Sequence, residues 1–290
     1  MADIKLFVCC HQWTEVPKHP LIVPIQVGAA LSPVRFQGFL QDDTGDNISA
    51  KNRSYCELTA QYWAWKNVQA DYYGFFHYRR YLYPDIGARC IYRIEHKPTT
   101  ALLDKLEYSH FPELIQNYDM LLPKRENMYL PVRGHYAQAP FHQACDLQRM
   151  EEIIQCRYPE YTQAMEKYLS QSACYFGNIF IMKRGLFERY CTWLFSVLEE
   201  FDRSAPAERA VAQERRVNGY LGERLLGIFA EQVRSELTIR MLELPRVHFD
   251  SSRVHVLQKR AVNCLLPPGS KRRAVVKNVA LSQSCSFKGS

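Results

Sequence analysis

One pattern constrains this chain more than any other: short β-prone runs end in polar loops and are followed by stretches with helical periodicity. A chain written this way folds as an α/β sheet flanked by helices. The first run, Ile4 to Cys10, is almost wholly apolar and stops at His11-Gln12-Trp13 and a group of prolines. A second apolar stretch, Leu21 to Ala30, leads into Gln41-Asp42-Asp43-Thr44-Gly45-Asp46-Asn47, whose Gly, Asp and Asn content predicts a turn. Ser49 can cap the helix beyond it, where Tyr55, Leu58, Tyr62 and Trp65 recur at helical spacing up to Asn67. Asp71 to Leu82 then reads as a strand, aromatic along its length. Gly74 admits close backbone approach, and the polar cluster His77-Tyr78-Arg79-Arg80 falls at its carboxyl end.

The alternation continues. Residues 99 to 122 read as a helix, a turn and the short strand Tyr118 to Leu122. A helix over Phe141 to Ile154 would put His142 and Asp146 on one face, and another covers Glu160 to Ser170. Tyr175 to Met182 is short, β-prone and apolar, hence a buried strand. The helix Leu186 to Glu200 carries an apolar stripe, and Val217 to Phe229 forms a further helix holding Tyr220, Glu223 and Arg224. Beyond about Asp250 the pattern fades and Pro267-Pro268-Gly269 breaks the chain. The expected organisation is one domain over residues 1–250 and a basic, partly disordered tail over 251–290.

Whole-chain properties narrow the class. At 290 residues the chain can bury one large core, and with 47% apolar and 23% charged residues it should fold without a partner. No run approaches the roughly 20 apolar residues of a membrane-spanning helix, and the start passes directly into a strand, which predicts a cytoplasmic protein. Ten cysteines in such a chain read as reduced core thiols. Cys9 and Cys10 are adjacent and no second Cys or His pair completes a zinc site, so no metal is assigned. The net charge of +7, with a concentration around Lys259-Arg260 and Lys271-Arg272-Arg273, favours anionic ligands. Nucleic acid is disfavoured, because no basic helix or stacking module of a known type is present. GxSxG, P-loop, HExxH and GxGxxG patterns are all missing.

The strongest local signal is His77-Tyr78-Arg79-Arg80. Arginine and histidine can hold phosphate oxygens directly through charge-assisted bonds. The plain alternative is a solvated strand end with a packed histidine, against which stand the flanking Tyr73, Phe75, Phe76 and Tyr81, rings suited to building walls. Asp46, Asn47, Lys51 and Asn52 form a second cluster where a loop enters a helix, a place that serves either capping or anion binding. His142 with Asp146, and Glu223 with Arg224, pair a carboxylate with a basic neighbour, as acid–base chemistry requires and as ordinary surface contacts also do. Sequence does not rank Asp146, Glu223, Asp43 and Asp71.

These blocks, taken in order, resemble a bacterial family of capsular, exopolysaccharide and O-antigen glycosyltransferases long catalogued as a domain of unknown function. The matching residues are Asp46-Asn47-Ile48-Ser49, Lys51-Asn52, Tyr55 to Ala60, Tyr62 to Asn67, Asp71 to Tyr81, Phe176 to Lys183, Tyr190 to Phe195 and Gly219 to Leu225, within residues 4 to 245. The resemblance implies a GT-A-like nucleotide-sugar-binding sheet with a helical C-terminal part. It also implies transfer of a hexose, galactose or galactofuranose, from a UDP-sugar to a lipid-linked or oligosaccharide acceptor, possible peripheral membrane contact included. Where that fold usually carries a DxD metal motif this chain has His77-Tyr78-Arg79-Arg80, so no divalent metal or other cofactor is expected. On this reading His77, Arg79 and Arg80 stabilise the leaving diphosphate, and Asp146 or Glu223 acts as base in an inverting displacement. His11, Trp13, Asp46, Asn47, Lys51, Asn52, Asp71 and Tyr78 hold the donor, with Trp13 or Trp65 as an apolar wall and the 43–52 loop closing over it. His142, Asn178, Tyr220 and Arg224 hold the acceptor. The rival from another class is a non-catalytic carbohydrate- or lipid-binding component of a polysaccharide assembly complex.

Overall fold

The computed structural model describes residues 2–204 and 216–276. Its strands are β1 (Ile4–Cys10), β2 (Ile22–Gln26), β3 (Leu40–Gln41), β4 (Tyr72–His77), β5 (Arg80–Leu82), β6 (Tyr92–Glu95), β7 (Met120–Pro123), β8 (Glu126–Asn127), β9 (Ala173–Cys174), β10 (Phe180–Lys183), β11 (Met241–Leu244) and β12 (Arg246–Phe249). Its helices are α1 (Asn52–Tyr55), α2 (Leu58–Asn67), α3 (Thr100–Lys105), α4 (Phe111–Gln116), α5 (Val132–Gln138), α6 (Ala144–Arg157), α7 (Thr162–Ser170), α8 (Arg184–Arg203), α9 (Val217–Arg234) and α10 (Arg253–Leu265).

The main sheet runs β11-β7-β10-β4-β1-β2-β3, and a second branch joins β4 through β5 to β12 and β6. β1 is parallel to β2 and β4, while β10 runs antiparallel to both β4 and β7. The expected α/β sheet flanked by helices is the fold observed. Side chains alternate across it. Phe7, Cys9, Tyr73 and Phe75 face a core shared with α2 and α6 to α9, whereas Leu6, Val8, Tyr72 and Phe76 face one shared with Leu103, Tyr108 and Phe111. Both faces are covered, which is why β1 reads as a continuous apolar run rather than an alternating one. Gly74 sits in register with Leu6, and a Cβ there would come within 2.5 Å of Leu6 Cδ2, so the close approach read from sequence is real.

Four local expectations give way to tertiary contacts. Asp71 to Leu82 is two strands, because the chain reverses at Tyr78-Arg79 and His77 pairs antiparallel with Arg80. The 49–67 helix is broken at Cys56, whose φ of 52° lies in the left-handed region. Ser49 caps nothing; its hydroxyl donates to Asp42 at 2.5 Å and accepts from the Ala30 amide. The segment beyond Asp250, expected as a tail, begins with α10, whose Arg260 donates to the Ile94 carbonyl at 2.8 Å and pairs with Glu95 at 2.6 Å. Residues 277–290 lie outside the described residues.

Candidate active site

The parallel register of β1 and β4 brings Cys9 opposite His77, so the residues that follow both strands meet at one edge of the sheet. There a cavity of about 290 Å³ is lined by His11, His77, Asn52, Glu57, Arg216 and Cys56, with Arg53, Cys9 and Val27. The carboxyl ends of parallel strands are where open α/β sheets accept ligands.

His77 is largely buried, and burial, seconded by Arg80 and Arg79, lowers its pKa to about 3. The Arg79 amide donates to His77 Nδ1 at 3.2 Å. The ring is therefore neutral with its proton on Nε2, a hydrogen-bond donor rather than a cation. His11, also lowered by burial and then by Arg216 and Arg79, packs edge-on against Tyr78 with ring centroids 5.1 Å apart. Opposite them Glu57 accepts a hydrogen bond from Asn178 Nδ2 at 2.9 Å, and Asn178 is held in turn by the Gly219 carbonyl at 3.2 Å. Cys56, at the strained kink, presents its sulfur to Arg216 Nε at 3.2 Å, and burial raises its thiol to about 12, so it stays protonated.

On the other side of the β4–β5 turn, Arg79 and Arg80 line a second cavity of about 550 Å³ with His248, Lys259 and Arg273. Among the described residues neither Arg79 nor Arg80 is held in an ion pair. Lys259 is committed to Asp250 at 2.5 Å, and Arg273 donates to Tyr92 Oη at 3.0 Å. A third group adjoins the site. Glu223 accepts from the Gly177 amide at 3.0 Å, lies 3.6 Å from the Arg224 guanidinium, and has its carboxyl raised by burial against the opposing pull of Arg224. Arg80 also acts on Glu223, and its Nη1 would lie 3.9 Å from a Cβ at Gly177. Among the described residues no three His, Cys, Asp or Glu side chains converge as metal ligands.

A scan of protein families matches residues 5–234 to the family described as "Domain of unknown function (DUF4422)". The chain belongs to that family. Among solved structures it is similar to one titled "WbbM bifunctional glycosyltransferase apo structure", with a TM-score of 0.79 and 31% sequence identity over 85% of this chain. It covers 45% of that protein, so it spans rather less than half of the larger molecule. No curated protein matches significantly. The resemblance read from sequence blocks and the GT-A-like sheet are both met by these findings.

Within this DUF4422 chain the expected site residues divide. His11, His77 and Asn52 share the first cavity; Arg79 and Arg80 share the second; Trp13, 65% exposed, lines a third beside Tyr78 and Arg79. Others are placed elsewhere. Asp71 stands at the amino end of β4, accepting from the Asp3 amide and facing Arg184 at 3.5 Å, a strand's length from the site. Asp46 and Asn47 tie the 41–49 turn to itself and to Asn67, Asp43 pairs with Arg35 at 2.6 Å, and Lys51 reaches Asp202 at 3.6 Å. The turn is pinned by the buried Asp42, which accepts from the Gly28 and Ala29 amides and from the Ser49 and Thr59 hydroxyls. The turn is thus anchored at its base.

Trp65 stacks on Phe195 at 5.8 Å and so belongs to the core. His142 precedes α6 instead of sharing its face with Asp146, and its ring lies between Tyr136 and Tyr220, at 4.4 and 4.1 Å. Asp146 is 4% exposed in the first turn of α6 near Tyr136 and lines none of the three cavities around the β4–β5 turn. Arg224, 1% exposed, lies over the rings of Tyr136 and Phe176. Asn178 serves Glu57 rather than an open surface.

Sequence reasoning missed Glu57 and Arg216. Glu57 stood inside the block Tyr55 to Ala60, and a carboxylate there among aromatic and apolar neighbours was the available signal. Arg216 stood in a polar break with no local pattern to mark it.

Proposed function

We propose that this chain is a glycosyltransferase moving a hexose, galactose in pyranose or furanose form, from a uridine-diphosphate donor to a growing surface polysaccharide at the cytoplasmic face of the membrane. The observation that carries the reading is the juxtaposition, at the carboxyl ends of β1 and β4, of a cavity lined by Glu57, Asn52 and His77 with two arginines held in no ion pair among the described residues. Likeness to the WbbM glycosyltransferase structure supports the reaction class.

In this reading the nucleoside occupies the His11–His77 cavity, where Glu57 and Asn52 meet its hydroxyl groups. The diphosphate extends across the β4–β5 turn toward Arg79 and Arg80, with Arg216 and the His77 Nε2–H assisting. The acceptor lies against Tyr220 and His142, rings of the kind that stack on sugars. Glu223 is the base, because burial raises its proton affinity and Arg80 is close enough to feel its charge. The acceptor oxygen attacks the anomeric carbon as its proton passes to Glu223. The bond to the diphosphate breaks with its electron pair going to the distal phosphate, and the configuration inverts. Cationic side chains in a partly desolvated site meet that developing charge, so no divalent ion is required.

The test is release of uridine diphosphate from a panel of UDP-hexoses by purified protein, with and without EDTA. UDP-galactose or UDP-galactofuranose should be consumed, EDTA should leave turnover unchanged, and Arg79→Ala or Arg80→Ala should slow it by about 100-fold, as for loss of one preorganised donor. A folded protein that consumes no sugar nucleotide would be the binding component instead. Loss in EDTA restored by manganese would overturn the metal-free mechanism.

A further inference from the structure

α10 is amphipathic in the reverse of the usual sense. Val254, Leu257, Ala261 and Leu265 recur at helical spacing on one face, and that face points to solvent: Val254 is 62% exposed, Leu257 65% and Leu265 74%. The opposite face turns polar groups inward, where Arg260 holds Glu95 and the Ile94 carbonyl, and Asn263 accepts from Arg273. Only Val256 is buried on the inward side, so most of the apolar surface of the helix is left facing outward and calls for a covering. Beyond the Pro267–Gly269 turn, the helical residues 271–276 add exposed Val275 and Val276.

Charge says what the covering is. After Asp250 the sequence has eight Lys and Arg and no Asp or Glu, against a net charge of +7 for the whole chain, so the first 250 residues are close to neutral. Lys259 and Arg260 are spent on Asp250 and Glu95, but Arg253, Lys271 and Arg272 are exposed and unpaired among the described residues. Apolar side chains bordered by free cations match an anionic bilayer surface. A second copy docked through this face would bring like charges together. Nucleic acid would leave the apolar stripe in water, and no aromatic residue occurs between Ser251 and Val276 for bases to stack on.

We propose that α10 is an interfacial helix that lies in the surface of an anionic membrane, with Val254, Leu257 and Leu265 entering the acyl boundary and Arg253, Lys271 and Arg272 meeting lipid phosphates. The second cavity, lined by Arg79, Arg80 and α10 residues Gln258, Lys259 and Val262, is thereby held next to the bilayer. The proposal rests on the membrane-face reading above but not on the donor chemistry, so either can fail alone.

The experiment is flotation of the full chain with phosphatidylcholine vesicles with or without phosphatidylglycerol. Binding is expected only with phosphatidylglycerol. It should fall at least about tenfold in Leu257→Asp/Leu265→Asp, and similarly in Lys271→Glu/Arg272→Glu. All of these side chains are exposed, so melting temperature and uridine diphosphate release should be unchanged, which separates this test from that of the donor site. Three results would overturn the proposal: no binding to phosphatidylglycerol vesicles; binding that survives Leu257→Asp/Leu265→Asp, which means adsorption by charge without insertion; or self-association in vesicle-free buffer abolished by the same pair, which means a second copy covers the face.

Discussion

At the scale of single residues, the site is built from side chains whose protonation is set by burial. His77, His142 and His248 are held neutral, at about 3, 4 and 2, each chiefly by desolvation and further by neighbouring arginines. The unfolded chain protonates the same rings near pH 6.5. Between pH 6.5 and about 4.5 the unfolded state therefore takes up protons that the folded state refuses, and stability falls as pH falls. Glu223, with its carboxyl raised, acts in the opposite direction, but it is one group against three. Unfolding free energies from urea denaturation, measured from pH 7.5 down to 4.5, should decline by about 1 kcal/mol or more per pH unit at the steepest part of this window, before most carboxylates titrate. A flat profile would mean these rings are not desolvated as described. Residue identities were legible in the sequence where chemistry is rare and clustered, as in His77-Tyr78-Arg79-Arg80. Glu57 and Arg216 were not, because their meaning comes from which segments the sheet brings opposite them.

At the scale of elements, glycines decide how closely α9 can approach its neighbours. Gly219 lies against Cys56, Gly222 against Leu58 and Asn178, and Gly227 under the Tyr168 ring of α7. A Cβ at Gly227 would overlap that ring, and Tyr168 is fully buried, with its hydroxyl accepting the Tyr175 amide. Gly227→Ala should destabilise the fold by about 3 kcal/mol through overpacking, despite the better helix propensity of alanine. Urea denaturation measures it, and a neutral or stabilised variant would show that α7 and α9 sit farther apart. Periodicity revealed α8 and α9 almost whole, because their apolar stripes are long. It missed the β4–β5 reversal, because a two-residue turn inside an aromatic run carries no Gly, Pro or Asn, and it missed the Cys56 kink, where a cysteine adopts a backbone that local preference disfavours. It also placed His142 on α6, since a four-residue spacing does not say where a helix begins.

At the scale of the whole molecule, the sheet order does what no single segment can. β1 and β4 are 68 residues apart in sequence at the paired positions Ile4 and Tyr72, yet they are neighbours, and their ends carry His11 and His77 to one cavity. The branch through β5 and β12 then sets Arg79 and Arg80 beside it, and α10 closes the far wall. The α/β class was legible from the alternation of elements, and the family from the order of the blocks. The division of the cationic motif between two cavities was not, since it depends on a reversal of the chain between adjacent residues. Uridine diphosphate should bridge these two cavities, and a crystal structure of the complex tests that most directly. It should show the nucleoside between His11, His77 and Glu57, with phosphate oxygens within hydrogen-bond distance of Arg79 or Arg80. Nucleotide found instead at the opposite end of the sheet, in the cavity lined by Asp71, Lys183 and Arg184, would contradict it.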